Sequence, residues 1–467
     1  MRGGAGSGTS IGLLTTAPAA HLNSSQQDST DAGCPLWTPG ISSARGGLVT
    51  STLDDVDTEK PVHQERFERP TPAGPRQVLR DLSGASVAGG VVGLVFSATG
   101  PIAVILSAGT HGGLSSAQLA SWVFGVFFLN GILTAIASWV YRQPLAFFWT
   151  IPGTVVVGAS LNHLSWPEVL GAFVVTALLI LAIGLTGWVR TIMAALPMPI
   201  VMAMVAGVFL RFGLDLVTAT GSDVSVALPM IAVFALLSAI PRAGRLVPPI
   251  LGALAAGALA VGASGRFALD STGWLAQPML QTPEFSWRAI TELVVPLAIT
   301  VLVVQNGQGT AVLKQAGHNP PTNVAAVLCG LWSLPAAAVG AVSTCLTGPT
   351  NALLVASTER SRQYTAGIVC GLGAIVVGMF APAFVSSMLA TPPAFIAVLG
   401  GLAMLRALQG AFVTAFSTNF TLGALLAFLV TVSGVSPLNI NSAFWGLLAG
   451  VLVALALERQ DFTPRNP

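Results

Sequence analysis

The feature that most restricts the fold of this chain is a series of long apolar segments that begins near residue 83 and continues almost to the C-terminus. Between residues 82 and 457, only 18 of 376 positions are Asp, Glu, Lys or Arg. Over the whole chain 53% of residues are hydrophobic and 8% are charged, whereas about 25% are charged in a typical soluble domain. Such a chain cannot cover its surface in water, so the sequence predicts an all-α polytopic membrane protein.

The N-terminal region has a different composition from the rest. The first 81 residues hold nine of the eighteen acids and seven of the twenty bases. Residues 1–80 are rich in Gly, Ser, Thr, Pro and Asp without sustained periodicity, so we expect a disordered cytoplasmic tail. The apolar stretch at 11–20 is too short for a signal peptide, and a start codon placed too far upstream is an alternative origin for part of the tail. Residues 459–467 are expected to form a C-terminal cytoplasmic tail.

Fourteen apolar segments with short loops make up the region 81–458, which we interpret as one transmembrane domain. A helix needs about 20 apolar residues to cross a bilayer core of about 30 Å. The third and tenth segments are too short to cross. The predicted segments are 85–109, 117–139, 149–160, 167–187, 192–214, 224–241, 247–264, 289–309, 322–342, 347–357, 364–386, 393–411, 414–433 and 439–457.

The two short segments resemble each other. Residues 149–160 read WTIPGTVVVGAS and residues 347–358 read TGPTNALLVAST, so a Thr and a Pro/Gly pair stand near the start of both. They are the third and tenth elements, and this odd offset of seven reverses the direction of the second copy. This predicts a 7+7 inverted repeat whose two half-helices meet near the bilayer midplane. Two ordinary kinked helices are the alternative, because Gly and Pro are common in membrane spans.

The positive charges predict the topology. With the N-terminus inside, eight Lys and Arg residues fall in inner loops and three fall in outer loops. Positive residues concentrate on the cytoplasmic side of membrane proteins. We therefore expect a multi-pass protein of the cytoplasmic (inner) membrane with both termini in the cytoplasm.

The N-termini of the two half-helices are the first candidate binding site. Aligned backbone N–H groups and the helix dipole favour an anion at such a point. Thr150, Thr347 and Thr350 can cap the helices or donate to a ligand, and Gly153 and Gly348 let a ligand approach the backbone. The neighbouring candidates on these segments are Thr154 and Asn351.

Three uncharged amides end the eighth segment: Gln305, Asn306 and Gln308. Unsatisfied amides are costly in hydrocarbon, so they should face protein, water or ligand. Binding or gating of a substrate is one interpretation. The other is a structural role, in which the amides bridge loosened backbone at Gly307 and Gly309.

Acids are scarce in the spanning region. Only Glu168 and Glu292 approach the membrane, both in first turns of helices, where an acid ordinarily serves as a cap favoured by the dipole. Glu292 is nevertheless the best-placed candidate for proton coupling. The histidines fall in the tail or in loops, and no catalytic, phosphate-binding or metal-ligand motif is present. The sequence therefore argues against an enzyme, a cofactor, a metal site and nucleic-acid binding.

Four stretches carry a family resemblance: YRQPLAFFWTIPG (141–153), GVFLRFGLD (207–215), QNGQGTAVLKQAG (305–317) and GGLAML (400–405). They are similar to the BenE-type benzoate transporter family, and the resemblance covers about residues 80–460. It implies the uracil-permease-like fold, with a core domain of elements 1–4 and 8–11 and a gate domain of elements 5–7 and 12–14. It also implies proton-linked uptake of an aromatic carboxylate by an elevator-like movement of core against gate. Analogy with this fold makes a homodimer an expectation.

The resemblance also bears on the substrate. Nucleobase transporters of the wider fold carry acids on the eighth and tenth elements, where this chain has Gln305 and Thr350. A nearby acid would repel a carboxylate, so these neutral residues favour an anion, and Phe96, Ala98 and Phe148 are candidates for an apolar wall against its ring. Typical family members have a His-containing stretch where this chain reads CLTGPTN at 345–351. Another anion or a nucleobase therefore stays open as the substrate, and a passive anion channel or a non-transporting scaffold stays open as the function.

Overall fold

The computed structural model describes residues 70–240, 247–266, 273–417, 419–435, 437 and 442–462. The predicted tails lie outside the described residues at 1–69 and 463–467. The parts nearest the bundle are structured, because the chain forms a helix at Pro75–Asp81 and a 3₁₀ turn at Arg459–Phe462. Ala73 is buried, and its carbonyl oxygen accepts a hydrogen bond from the indole of Trp139 (2.7 Å). The packed region therefore begins before the predicted boundary at residue 81.

Fourteen helices in the described residues correspond one to one with the fourteen predicted segments. In chain order they are α1 Gly84–His111, α2 Ser116–Tyr141, α3 Ile151–Ser160, α4 Trp166–Thr186, α5 Met198–Ser222, α6 Val224–Ala239, α7 Pro249–Ala263, α8 Trp287–Gln315, α9 Thr322–Ala338, α10 Gly348–Val355, α11 Gln363–Met379, α12 Pro393–Phe416, α13 Thr421–Ser433 and α14 Ser442–Leu457. Seven spans, at α1, α2, α4, α5, α8, α11 and α12, are long and apolar enough to cross a membrane. Helices α3 and α10 are the two predicted half-helices. Short helices also form at Val189–Ala195 and Ala381–Leu389.

Serine residues begin several of these helices. The hydroxyls of Ser83, Ser115 and Ser286 each accept the backbone N–H of the residue three positions on, which has no partner inside the helix. At the start of α4, Glu168 accepts the backbone N–H of Ser165 (2.8 Å). The cap predicted for Glu168 is therefore confirmed, and it closes a capping box at the end of a loop.

Helices α2 and α8 each contain a π-helical turn, at Gly125–Leu129 and Thr300–Gln305. Such a turn inserts one extra residue into the helix and interrupts the regular hydrogen-bond ladder, and it often occurs at functional sites. The π-turn of α8 ends at Gln305, so the three predicted amides lie where the ladder of this helix is disturbed.

The helices pack in two groups. In the first group, α4 packs against α8 and α9, and α11 packs against α1 and α2. In the second group, α12 and α13 pack against α5, and α14 packs against α13. Helices α1 and α12 form the main contact between the groups. The division into core and gate domains, and a movement of one against the other, stay predictions.

A short antiparallel ribbon lies between the two halves of the chain. Strand β1 (Phe147–Trp149) pairs with β2 (Thr344–Leu346), with Phe148 opposite Cys345. Each strand leads directly into a half-helix, and α1–α7 and α8–α14 repeat the same order of elements. The inverted repeat is therefore confirmed. The strands themselves were not predicted, because three residues are too few to show a period of two.

Candidate functional site

The ribbon places the N-termini of α3 and α10 side by side. Beyond its ends, Thr150 donates its backbone N–H to the carbonyl oxygen of Ser343 (3.2 Å), and Thr347 donates to that of Ala146 (3.1 Å). The strand residues and these flanking residues are all buried. Burial inside protein is the condition under which non-helical backbone is tolerated at membrane depth. Both half-helices therefore begin at the ribbon, which is buried inside the protein.

A cavity lies beside this ribbon, between α1, the end of β1 and the starts of α3 and α10. Water-sized spheres can be placed in only about 10 Å³ of it. That is room for about one water, so the site is small in this conformation. Its lining residues are Phe96, Ser97, Pro101, Phe148, Trp149, Ile151, Thr347 and Thr350.

The start of α10 presents polar groups to this cavity. The hydroxyl of Thr347 makes no capping bond to its helix, although Thr347 occupies the N-cap position. The hydroxyl of Thr350 lies 3.1 Å from that of Ser97 on α1. Because the first backbone N–H groups of a helix have no partner inside it, this end of α10 is suited to hold an anion.

The start of α3 is organised differently. The hydroxyl of Thr150 accepts the backbone N–H of Gly153 (3.1 Å) and so caps the helix. The hydroxyl of Thr154 donates to the carbonyl oxygen of Thr150 (2.9 Å). Both predicted ligand groups are therefore engaged within their own helix turn.

The two predicted glycines are packed against side chains. A Cβ atom at position 348 would lie 2.6 Å from Cβ of Gln308, and one at position 153 would collide with the side chain of Thr150. Both positions therefore need glycine so that the neighbouring side chains fit, whether or not a ligand also approaches them. The contact at Gly348 places Gln308 of α8 beside the start of α10.

Two asparagines hold the ribbon in place. The side-chain oxygen of Asn306 accepts the backbone N–H of Leu346 in β2 (2.7 Å), and that of Asn351 accepts the backbone N–H of Ala146 before β1 (2.9 Å). The amide nitrogen of Asn351 also donates to the carbonyl oxygen of Thr347 (2.6 Å). For Asn306 this geometry matches the structural interpretation of the amide segment.

Gln305 is a different case. Its side chain is buried, and its Oε1 atom has no hydrogen-bond partner among the described residues. A buried polar atom without a partner costs free energy, so Gln305 is available to a water or ligand group. The indole nitrogen of Trp149, which belongs to the cavity lining, also has no partner among the described residues.

Glu292 lies in a buried cluster away from the cavity. Its carboxylate is hydrogen-bonded to the hydroxyl of Ser160, the last residue of α3, and to Nε2 of His163 (2.9 Å). Its side chain is 0% exposed. The expectation that Glu292 acts as an interfacial cap is therefore wrong, because this carboxylate is enclosed by the end of a half-helix and the following loop.

Four of the predicted residues line the cavity: Phe96, Phe148, Thr347 and Thr350. Ala98 instead packs against the hydrophobic core, and its neighbour Ser97 lines the cavity. The role of these residues in substrate binding stays a prediction. Gln305, Gln308 and the residues of the α3 cap lie on the surrounding elements. Residues missed by sequence reasoning are Ser97, Pro101, Trp149, Ile151, Ser160 and His163. Trp149 and Ile151 flank a predicted residue, so proximity in sequence could have indicated them.

The fold and the site together define a membrane transporter built as a 7+7 inverted repeat. The transmembrane domain of a cyanobacterial bicarbonate transporter, BicA, matches with a TM-score of 0.58 and 16% identity, over 82% of this chain and 100% of that chain. The murine Slc26a9 anion transporter in its inward-facing state matches with a TM-score of 0.57 and 13% identity, over 89% of this chain and 77% of that one. At these identities the similarity concerns the fold.

Sequence comparison identifies the family. The model of the BenE family, described as benzoate membrane transport protein, matches residues 80–456, and the chain belongs to this family. The Escherichia coli inner membrane protein YdcO is 30% identical over 364 residues, which are 76% of this chain and 91% of that protein. The benzoate membrane transport protein of Acinetobacter baylyi is 29% identical over 391 residues, which are 82% of this chain and 97% of that protein.

Proposed function

We propose that this chain imports benzoate or a similar aromatic or organic carboxylate together with a proton. The observation that carries the proposal is the uncapped start of α10 at a cavity that contains no acid in its lining. A carboxylate placed there would accept hydrogen bonds from the free backbone N–H groups of the helix. It would also lie at the positive end of the helix dipole. The hydroxyls of Ser97, Thr347 and Thr350 can add donors.

The remainder of the lining suits a ring. Phe96, Phe148, Trp149 and Pro101 supply apolar surface next to the polar start of α10. Such a combination of apolar walls with a few polar groups is typical of sites for small organic molecules. The named function of the Acinetobacter relative supports benzoate in particular.

The small size of the cavity supports a moving carrier. An aromatic acid does not fit into room for about one water, so binding requires the cavity to widen. We propose that the core group, α1–α4 with α8–α11, carries the site and moves past the gate group like an elevator. Location in the inner membrane, cytoplasmic termini and a homodimer belong to the same proposal, and Glu292 is its candidate proton carrier.

An anion without a ring is the second candidate substrate. The small free volume and the fold shared with a bicarbonate transporter favour it. A nucleobase is less suited, because its N–H donors need acceptors and the lining offers no carboxylate.

The test is uptake of labelled benzoate into proteoliposomes, with and without an imposed inward proton gradient. We expect accumulation that depends on the gradient and that is blocked by unlabelled aromatic acids. Uptake only down the benzoate gradient would contradict proton coupling and favour a channel or facilitator. Uptake of labelled bicarbonate or uracil, without any benzoate uptake, would contradict the proposed substrate class.

A further inference from the structure

A buried carboxylate, a histidine and a serine meet at the far end of half-helix α3. Glu292 of α8 is 0% exposed, while the side chain of its partner His163 is 29% exposed. A buried carboxylate is costly unless it is paired and hydrogen-bonded. The cluster therefore joins a group protected from solvent to a titratable group that solvent reaches.

We propose that Glu292, His163 and Ser160 form one proton-binding unit, that His163 transfers the proton between solvent and Glu292, and that α3 links this unit to the substrate site. The coupling of proton binding to substrate transport rests on the proposed function. The binding of the proton itself does not depend on the identity of the substrate.

The proton balance of the transfer is simple. In the unloaded state the neutral imidazole donates its Nε2–H to the carboxylate of Glu292. A proton from solvent binds at Nδ1 of His163, and the Nε2 proton moves to Oε2 of Glu292. The imidazole is then neutral again with its proton on Nδ1, and the new carboxylic acid can donate back to Nε2. The unit gains one proton in total.

Ser160 can satisfy both protonation states. Its hydroxyl lies in hydrogen-bond reach of Glu292 and of the carbonyl oxygen of Val156 in the preceding turn of α3 (3.2 Å). The hydroxyl donates to Glu292 when the carboxylate is ionised. The protonated acid has one proton, which it donates either to Nε2 of His163 or to the hydroxyl of Ser160. In the second case the hydroxyl turns to donate to Val156, since a hydroxyl is both donor and acceptor. The change of protonation state is therefore transmitted to the last turn of α3.

Half-helix α3 connects this unit to the cavity. Its ten residues span about 15 Å, from Ser160 at the unit to Ile151 in the cavity lining. A carboxylate at the C-terminal end of a helix opposes the dipole and lowers the attraction of the other end for an anion. Two charges about 15 Å apart at an effective dielectric constant of about 20 change an affinity by about six-fold.

The sign of this coupling is that of a symporter. A proton on Glu292 removes a negative charge and so raises the affinity for a substrate anion. By linkage, the bound anion raises the affinity for the proton by the same factor. Because α3 and α8 belong to the same helix group, proton and anion would move together.

The surrounding elements contribute few other ionisable groups. Helices α3, α4 and α14 pack against this part of α8, and α3 and α14 carry no Asp, Glu, Lys, Arg or His. Arg288 lies one turn before Glu292, and Glu284 lies in the segment before α8. The other ionisable residues to consider are Glu168 at the start of α4 and His111 at the end of α1. Glu168 is held in its capping box and serves as a matched control.

The test compares the full-length protein with Glu292→Gln, His163→Gln and the control Glu168→Gln. The first readout is the melting temperature of the detergent-solubilised protein between pH 5 and 9 without substrate. Wild type and Glu168→Gln should share one pH profile, and Glu292→Gln should lose part of the pH dependence. Coinciding profiles for wild type and Glu292→Gln would overturn the proton-binding unit, whatever the substrate is.

The second readout is transport of labelled benzoate in proteoliposomes. Glu292→Gln should retain exchange of internal for external benzoate and lose accumulation driven by a proton gradient. His163→Gln should retain exchange and accumulate benzoate more slowly than wild type. Gradient-driven accumulation by Glu292→Gln at the wild-type rate would overturn the coupling, while the proposed function would stand. Absence of exchange in wild type would overturn the proposed function and leave the pH profiles to decide the proton site.

If Glu292→Gln fails to fold, Ser160→Ala provides the alternative variant. It removes one hydrogen bond to Glu292 and keeps the pair of Glu292 and His163. We expect accumulation driven by a proton gradient to be slower than in wild type, while exchange of internal for external benzoate is retained. Accumulation at the wild-type rate would overturn the part of Ser160 in the unit.

Discussion

Half-helices α3 and α10 are the same element in two copies, yet their ends carry different chemistry. Both follow a three-residue strand, and both start at the same ribbon. The hydroxyl of Thr150 caps the start of α3. The hydroxyl of Thr347 makes no such bond at the start of α10, and Thr347 lines the cavity. The repeat therefore supplies two copies of the same backbone element, and only one of them is capped by a threonine side chain.

The opposite ends differ as well. The C-terminal end of α3 meets the carboxylate of Glu292, whereas that of α10 meets the amide of Gln363, which donates to the carbonyl oxygens of Val355 (2.6 Å) and Thr358 (3.0 Å). The Oε1 atom of Gln363 lies 2.6 Å from Nε2 of His318. One end is hydrogen-bonded to a carboxylate, and the other is hydrogen-bonded to a neutral amide. Two copies of one backbone element thus have different side-chain partners.

The largest expected effect comes from a charge at the open half-helix. Thr350→Asp should weaken benzoate binding at least about 100-fold, because two like charges about 5 Å apart repel strongly in the protein interior. Binding of labelled benzoate to the purified protein measures this. Thr350→Asn is the matched control, because it has the same size as Asp without the charge. Equal affinities of the two variants would remove α10 from the site.

The next largest effect is expected when one of the side-chain hydrogen bonds that hold the ribbon is removed. Asn351→Ala leaves the backbone N–H of Ala146 without its acceptor, which costs about 1–3 kcal/mol for a buried group. The melting temperature should fall, whereas the exposed Asn162→Ala should leave it unchanged. Asn306→Ala should match Asn351→Ala, because it frees the N–H of Leu346 in the other strand. A stable Asn351→Ala protein with lost binding would instead make this residue a ligand.

The two N-cap threonines allow a direct comparison. Thr150→Val should lower stability by about 1 kcal/mol through loss of the cap, with little change in substrate affinity. Thr347→Val removes no cap, so its stability should stay unchanged while affinity falls about five-fold through loss of one donor. Melting temperature and benzoate binding are measured on both variants. The reverse pattern would show that α3, not α10, holds the substrate.

The smallest expected effect concerns the C-terminal end of α10, where Gln363 is hydrogen-bonded to His318. Burial lowers the pKa of His318, which lies in the loop before α9, and nearby Arg360 lowers it further. The unfolded chain then binds more protons than the folded protein, so this group lowers stability as the pH falls through the unfolded pKa of about 6.5. His318→Gln should flatten the melting temperature between pH 7 and 5.5 by about 1–2 °C. A steeper profile in the variant would contradict this sign.

Much of the fold could be predicted from the sequence. The fourteen segments, the two short elements and the inverted repeat follow from lengths and apolar composition, which are local properties. The α1 face of the site was predicted less well, because Phe96 lines the cavity but Ala98 does not, and Ser97 does instead. The rotation of a helix about its axis depends on its neighbours, and a helix buried on most sides shows no polar face in its sequence.

The sequence by itself determined that this chain is a membrane protein with two half-helices, because the cost of charge and unpaired backbone in hydrocarbon allows few alternatives. Only the tertiary structure decided which hydroxyl caps a helix and which faces the cavity. It also decided that Asn306 fastens a strand and that Glu292 meets His163, which lies 129 positions away. Hydrogen bonds act over about 3 Å in space irrespective of separation in sequence, so the partners of a polar residue are known only once the chain is packed.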